Sequence, residues 1–406
     1  MSPHRTGLLR AVTATTALLV LGAGLAACSS DDPSEQARGG TGQATASQAA
    51  QEDPVEITSN VDGKQAVPVD THLRLTAHNG TLQKVRVLSR KGVELPGGIT
   101  PDDTGWEADG RLEPGTTYVV KGVTKSPSGT TGRTRTSFQT EDLPLDRQTY
   151  ASVAPLDGET VGVGMPVIVT FDVPVTDKTS IEKHMTVTSS SKQPGAWHWL
   201  SDTEVHWRPK QYWKAGTDVT VDVDVNSVPA GNGVYGQESR TVKFHVGDAV
   251  VSKVNAQTHQ MQTFINGKLA KTTPITTGKA GFTTRSGVKV IIEKFRSKRM
   301  RSETVGISDR NSEDYYDLDD VEYAMRVTYS GEFLHAAPWS VASQGHDNVS
   351  HGCTGMSTAD ARWIYNISKR GDVVEYTGTD RPMTLTNGYG DWNESFATWK
   401  QGSALS

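Results

Sequence analysis

The reading of this chain turns on residues 335–356, HAAPWSVASQGHDNVSHGCTGM. The stretch holds Cys353, the only cysteine outside the first thirty residues, and His335, His346 and His351 from a total of eleven histidines. A thiol beside histidines and flanked by glycine is the material of a cysteine nucleophile. One histidine takes the thiol proton, and a backbone without bulk turns its peptide N–H groups toward an oxyanion.

Around this stretch the pattern is short strands. Val250 to Thr263 alternates, and Asn266-Gly267 is a two-residue hairpin turn before residues 268–271. Further runs lie at 288–292, 323–328, 333–335 and 372–376, and Thr358 to Ser368 carries the one good helical period of the exported chain. Ala361, Ile364, Tyr365 and Ser368 share a face of that helix, and Thr358 is its expected cap. A helix beginning just after Cys353 is expected to favour the thiolate through its dipole.

Upstream, Val55 to about Glu141 reads as strands split by Gly, Pro and Asn, and the pattern recurs. Asp62-Gly63 before Val67-Pro68-Val69 corresponds to Asp157-Gly158 before Met165-Pro166-Val167, and residues 114–120 correspond to 215–221. A spacing of about one hundred residues fits tandem immunoglobulin-like β-sandwiches. The expected fold is mostly β: two such sandwiches (53–145 and 146–248), a β-rich catalytic domain with a short helix after the cysteine (249–378), and a tail (379–406). The aromatics Trp197, Trp199, Trp207, Tyr212 and Trp213 suit core and inter-domain packing better than a sugar platform.

The chain opens with an export signal: Arg5 and Arg10, an apolar run from Ala11 to Leu21, then Leu25-Ala26-Ala27 before Cys28. Small residues directly before a cysteine resemble a lipoprotein cleavage site, which would leave Cys28 as a lipidated N-terminus on the outer face of the cell membrane. Residues 29–52 then read as a flexible tether. If Cys28 is acylated, Cys353 has no disulfide partner and stays a free thiol. Without Arg5 and Arg10 the formal net charge moves from -5 to about -7, with no basic tract, so nucleic acid is not an expected partner.

His335 ends an apolar strand, and the excursion to Ser350-His351-Gly352-Cys353 can return to that strand's end. His335 as general base and Cys353 as nucleophile would form an acyl-enzyme, with N–H groups around Gly352, Cys353 and Thr354 as oxyanion donors. Other readings of the same residues are a zinc site from His335, His346, His351 and Asp347, whose spacing matches no motif, a satisfied core histidine, or a buried structural cysteine. No metal and no cofactor is expected.

His335, fourteen residues, then Ser350-His351-Gly352-Cys353 resembles the catalytic signature of the bacterial L,D-transpeptidases, which remodel peptidoglycan. The resemblance extends to the lipoprotein signal, the two modules and the tail from Gly390-Asp391-Trp392-Asn393 to Trp399, expected to pack on the catalytic domain. It implies Cys353 as nucleophile, His335 as base oriented by the Ala336 carbonyl, and Ser350, His351, Gly352 and Thr354 as site lining. It places Met300 and Tyr315 or Tyr316 in a flap over a donor tunnel, and matches Trp339 to His-x-x-Pro-Trp. Peptidoglycan stem peptides are the implied substrates, 3→3 cross-links the product, and carbapenems the implied inhibitors. With water as acceptor the same site would be an L,D-carboxypeptidase. A non-catalytic wall-binding lipoprotein is the contrasting reading, and a sortase-like enzyme is disfavoured because Arg362 falls in the helix. Two departures stand out: Gly355 replaces a frequent Asn, and Thr284-Arg285-Ser286-Gly287 replaces Thr-Pro-x-Gly.

Overall fold

The computed structural model describes residues 53–406. The export signal, Cys28 and the tether lie outside the described residues.

The first module is two four-stranded sheets. One joins Glu56–Ser59, Arg74–His78, Gly105–Ala108 and Gly97–Ile99; the other joins Glu94–Leu95, Thr81–Ser89, Thr117–Lys125 and Thr131–Gln139. Alternation puts Leu75 and Ala77 inside with Leu73, Leu82, Val87, Trp106, Tyr118 and Phe138.

The second module repeats the plan. Ala151–Ala154, Val167–Phe171, Glu204–Pro209 and Gly195–Trp199 face Thr160–Val161, Arg240–Val246, Asp218–Val223 and Met185–Ser189. Three of its aromatics are core, with Trp199 and Tyr212 part-buried against it. Trp197, Trp207 and Trp213 are buried, Trp207 stacks on Trp213 at 5.3 Å, and the Trp213 Nε1–H donates to the Met165 carbonyl at 2.8 Å. Tyr212 reaches outward to donate to Glu375 at 3.1 Å, so the cluster also joins this module to the catalytic domain.

The catalytic domain holds two sheets. Lys268–Pro274, Gln260–Ile265, Val250–Asn255, Val373–Thr377 and Gly287–Val290 form the first; Glu293–Arg301, Asp317–Arg326, Phe333–Ala336 and Thr354–Met356 form the second. Asn266 (φ 48°) and Gly267 (φ 79°) both take the left-handed backbone that a tight hairpin matching strand twist requires. The last two strands of the second sheet run parallel, with His335 opposite Gly355. A parallel pair needs a crossover, and residues 337–353 supply it, including a 3₁₀ segment at Pro338–Ser343.

The helix spans Thr358–Ile367 and buries Ala361 and Ile364 against Tyr323, Met325, Leu334 and Met356. Burying Ile364 stabilises by about 1.5–3 kcal/mol, and the single methyl of Ala361 by about 0.8 kcal/mol. Two expectations change here. The cap is Ser357, not Thr358: its Oγ accepts from the Asp360 N–H at 3.1 Å. The Thr354–Met356 strand also separates Cys353 from the helix by roughly 10 Å of extended chain, so the helix dipole does not act at the thiol.

The tail does more than the expected packing on the catalytic domain. Asn393 exchanges hydrogen bonds with the Val288 backbone at 2.7 and 2.8 Å, but the chain then docks on the second module. Trp399 is fully buried, its Nε1–H donating to Ala196 O at 2.9 Å. The Arg208 guanidinium lies over the rings of Trp392 and Trp399 at 4.9 and 4.7 Å. His206 is bonded through Nδ1 to the buried Asp391 carboxylate at 3.0 Å and through Nε2 to Glu204 at 2.9 Å.

Candidate active site

Side chains alternate across a sheet, so Gly355 and His335 fall on one face and Thr354 on the other, and carrying the alternation one residue back from the strand puts Cys353 on the face of His335. Parallel pairing of Phe333–Ala336 with Thr354–Met356 thus brings the thiol and the imidazole to one surface, two positions apart along the strands. His335 is buried, and its Nδ1–H donates to the Ala336 carbonyl at 2.8 Å. A carbonyl only accepts, so the proton sits on Nδ1 and the Nε2 lone pair is free. Burial lowers the ring's pKa below its ordinary value, which keeps it neutral and able to accept a proton.

The Cys353 thiol is directed elsewhere at rest. Its S–H donates to the Gly331 carbonyl at 3.6 Å. Burial pushes the thiol pKa up to about 12, against the opposing effect of the Phe333 backbone N–H. The resting pair is therefore neutral thiol and neutral imidazole, and ionisation accompanies proton transfer.

The loop that presents the thiol is fixed from within. Ser350 Oγ donates to the Cys353 carbonyl at 2.6 Å and accepts from the Gly352 N–H at 3.1 Å. Thr284 Oγ1 holds the Gly352 carbonyl at 2.8 Å. Gly352 has φ +119°, a backbone that side chains strain. With the Gly352 N–H taken by Ser350, the Cys353 N–H makes no hydrogen bond among the described residues and is the better oxyanion donor.

The other expected site residues separate clearly. A cavity of ≈ 460 Å³ is lined by Met300, Tyr316, Arg326, Tyr329, Gly331 and Phe333 and ends at Cys353. Tyr315 points away, its hydroxyl toward Glu303 at 3.4 Å. His351 packs between Phe282 and Tyr316, with Nε2 3.3 Å from Asp314, itself bonded to Lys279 at 2.6 Å. Trp339 lies 57% exposed beside His335, the rings 5.9 Å apart. Thr354 is buried, its hydroxyl 2.8 Å from the Tyr376 hydroxyl, so its side chain faces the interior. His346 takes no part in this arrangement beyond its loop. A Cβ at Gly355 would stand 2.9 Å from Ala337 Cβ and 3.1 Å from Thr276 Cγ2, so this chain fills with Ala337 and Thr276 the space an Asn would use.

Beneath Gly352 lies a feature the sequence did not signal. Lys289 is fully buried, and its Nζ bonds Glu332 Oε2 at 2.5 Å. The other oxygen of Glu332 takes the Arg285 guanidinium at 2.9 Å and the Arg285 N–H at 3.2 Å. Lys289 in Val-Lys-Val-Ile-Ile has the pattern of a solvent-facing strand lysine, which is why reading periodicity passes over it.

Comparison with known proteins agrees with this architecture. A family model for the L,D-transpeptidase catalytic domain matches residues 249–375, and one for a bacterial Ig domain matches residues 64–229. L,D-transpeptidase 2 of Mycobacterium tuberculosis is 34% identical over 351 residues, covering 86% of this chain and 85% of that protein. L,D-transpeptidase 5 of the same organism is 32% identical, covering 80% and 72%. A solved LD transpeptidase in complex with imipenem is 37% identical, with a TM-score of 0.50, covering 57% of this chain and 99% of that one. With two sandwiches ahead of a catalytic domain that sets Cys353 at the start of a strand parallel to that of His335, and a relative matched over most of both lengths, the chain belongs to the L,D-transpeptidase family.

Proposed function

We propose that this protein forms 3→3 cross-links in peptidoglycan through a Cys353 thioester. His335 Nε2 takes the thiol proton as sulfur attacks the carbonyl of the third residue of a tetrapeptide stem. The bond to the terminal D-Ala breaks, and the proton passes from His335 to the departing amine. The side-chain amine of a second stem then attacks the thioester, gives up a proton to His335, and releases the thiol. The Cys353 N–H offers hydrogen bonding to the oxyanion of each tetrahedral intermediate.

The observation that carries this reading is the shared face of Cys353 and His335, with Nδ1 of the ring locked on Ala336 so that Nε2 is the basic nitrogen. The cavity past Met300 and Tyr316 suits the donor stem, and the open side at Trp339 suits the acceptor. A carbapenem would acylate Cys353 by the same attack on its strained carbonyl. Lipidation at Cys28 would hold the catalytic domain outside the membrane.

The test is incubation of the purified protein with a disaccharide-tetrapeptide, followed by mass spectrometry. Loss of D-Ala with dimer formation, abolished in Cys353→Ala, supports the reading. Unchanged turnover in Cys353→Ala overturns it.

A further inference from the structure

The buried Lys289–Glu332–Arg285 cluster lies outside the machinery described so far. Glu332 follows Gly331, whose carbonyl holds the thiol, and precedes Phe333, whose N–H lies beside the sulfur. A Cβ on Gly352 would be 3.7 Å from Glu332 Cγ, so the acidic side chain runs directly under the loop that presents Cys353. Its carboxylate is satisfied by two cations, and Lys289 sits over the Tyr376 ring at 3.7 Å, with Tyr376 in turn bonded to Thr354. Burying the Lys289 and Glu332 charges is costly, and apolar replacements of similar volume at such sites are often neutral or stabilising. The charges therefore call for a role beyond holding the fold.

We infer that Glu332 and Lys289 are opposed positioning residues for Cys353: Glu332 adds to burial in keeping the thiol protonated at rest, and Lys289 limits that hold so that transfer to His335 stays attainable. This rests on the reading of Cys353 as nucleophile and adds to it how the thiol is kept in check. The charge of Glu332 opposes the thiolate and that of Lys289 favours it. Burial lowers Lys289 to about 8, against the pull of Glu332, so its cation is itself lost in mildly alkaline solution. The other groups around the sulfur are Arg326, which favours the thiolate, and Tyr316, Tyr376 and His335, neutral near pH 7; His351 packs on Tyr316 with its Nε2 on Asp314.

The experiment is the pH dependence of Cys353 alkylation by iodoacetamide in the full-length protein, which reads the thiolate without requiring substrate turnover. Glu332→Gln is expected to move the apparent thiol pKa down by about one unit and to raise the rate near pH 8 roughly tenfold. At pH 7, where Lys289 is charged, Lys289→Met is expected to slow alkylation by a similar factor, and the double variant to fall between the singles. A purely structural role moves both singles in one direction or leaves the alkylation rate at pH 7 untouched, and either result overturns the inference. If Lys289→Met does not fold, Glu332→Gln alone decides: an unchanged or raised thiol pKa refutes it. D-Ala release by the unaltered protein tests the transpeptidase reading separately, so the two failures are distinguishable.

Discussion

Cys353, one residue before its strand, shares a face with His335 of the adjacent parallel strand, with Gly355 rather than Cys353 directly across from the histidine. The thiol is held back on Gly331 and the ring is held on Ala336. Attack requires the sulfur to leave Gly331 and turn toward Nε2. Replacing His335 with Asn removes the base, and thioester formation with imipenem, followed by intact-protein mass spectrometry, is expected to slow by roughly 10²–10⁴-fold. Cys353→Ala is expected to form no adduct.

Gly355 is a packing requirement in this chain. A side chain there meets Ala337 and Thr276 at contact distances that a rigid strand pair cannot relax. Gly355→Asn is expected to lower stability by about 1–3 kcal/mol through overpacking, read as a lower urea midpoint with unchanged slope. Pairing it with Ala337→Gly is expected to recover part of the loss, because Ala337 Cβ is the nearest obstacle.

Much of this was legible because it rests on local rules. The alternating runs located most strands, Asn266-Gly267 marked its hairpin, and the paired turns gave the tandem sandwiches. What stayed hidden depends on distant partners. Ser357 displaces Thr358 as cap because its hydroxyl reaches Asp360, a one-residue matter that periodicity does not resolve. Ser350 reads as a lining residue, yet its hydroxyl is engaged with Gly352 and Cys353 inside its own loop. The tail's attachment depends on His206 and Arg208, nearly two hundred residues away in sequence, and on no pattern within the tail.

That attachment is sensitive to pH. Burial works against the charged His206 ring, but Asp391 and Glu204 outweigh it and raise its pKa to about 9, above the unfolded value near 6.5. A raised folded pKa contributes stability that is fully present below pH 6.5 and is lost as pH rises through 9. The contribution is on the order of 2–3 kcal/mol. Thermal melting is expected to fall across that window, and His206→Gln is expected to lower stability at pH 6 while flattening the slope between pH 6.5 and 9.

Arg208 and Trp399 fix the same tail by stacking and burial. Truncating the fully buried Trp399 to Ala is expected to cost about 3–5 kcal/mol. Hydrogen exchange is expected to rise in residues 391–400 and in the Gly195–Trp199 strand that receives them. Protection retained in both segments would contradict the docking role.

His351 separates binding from chemistry. Its ring is held by Asp314, Phe282 and Tyr316 and does not address the thiol, so its removal leaves the proton path from Cys353 to His335 intact. It does free Tyr316, which lines the cavity leading to Cys353, and it releases Asp314 from one of its two partners. His351→Asn is therefore expected to raise KM for the tetrapeptide donor several-fold with a much smaller change in kcat, a signature of lost binding shared by ground and transition states. The rate of Cys353 alkylation against pH should be unchanged in this variant. A collapse of kcat comparable to that of His335→Asn would instead make His351 part of the proton transfer, and the ring's contacts with Asp314 and Tyr316 argue against it.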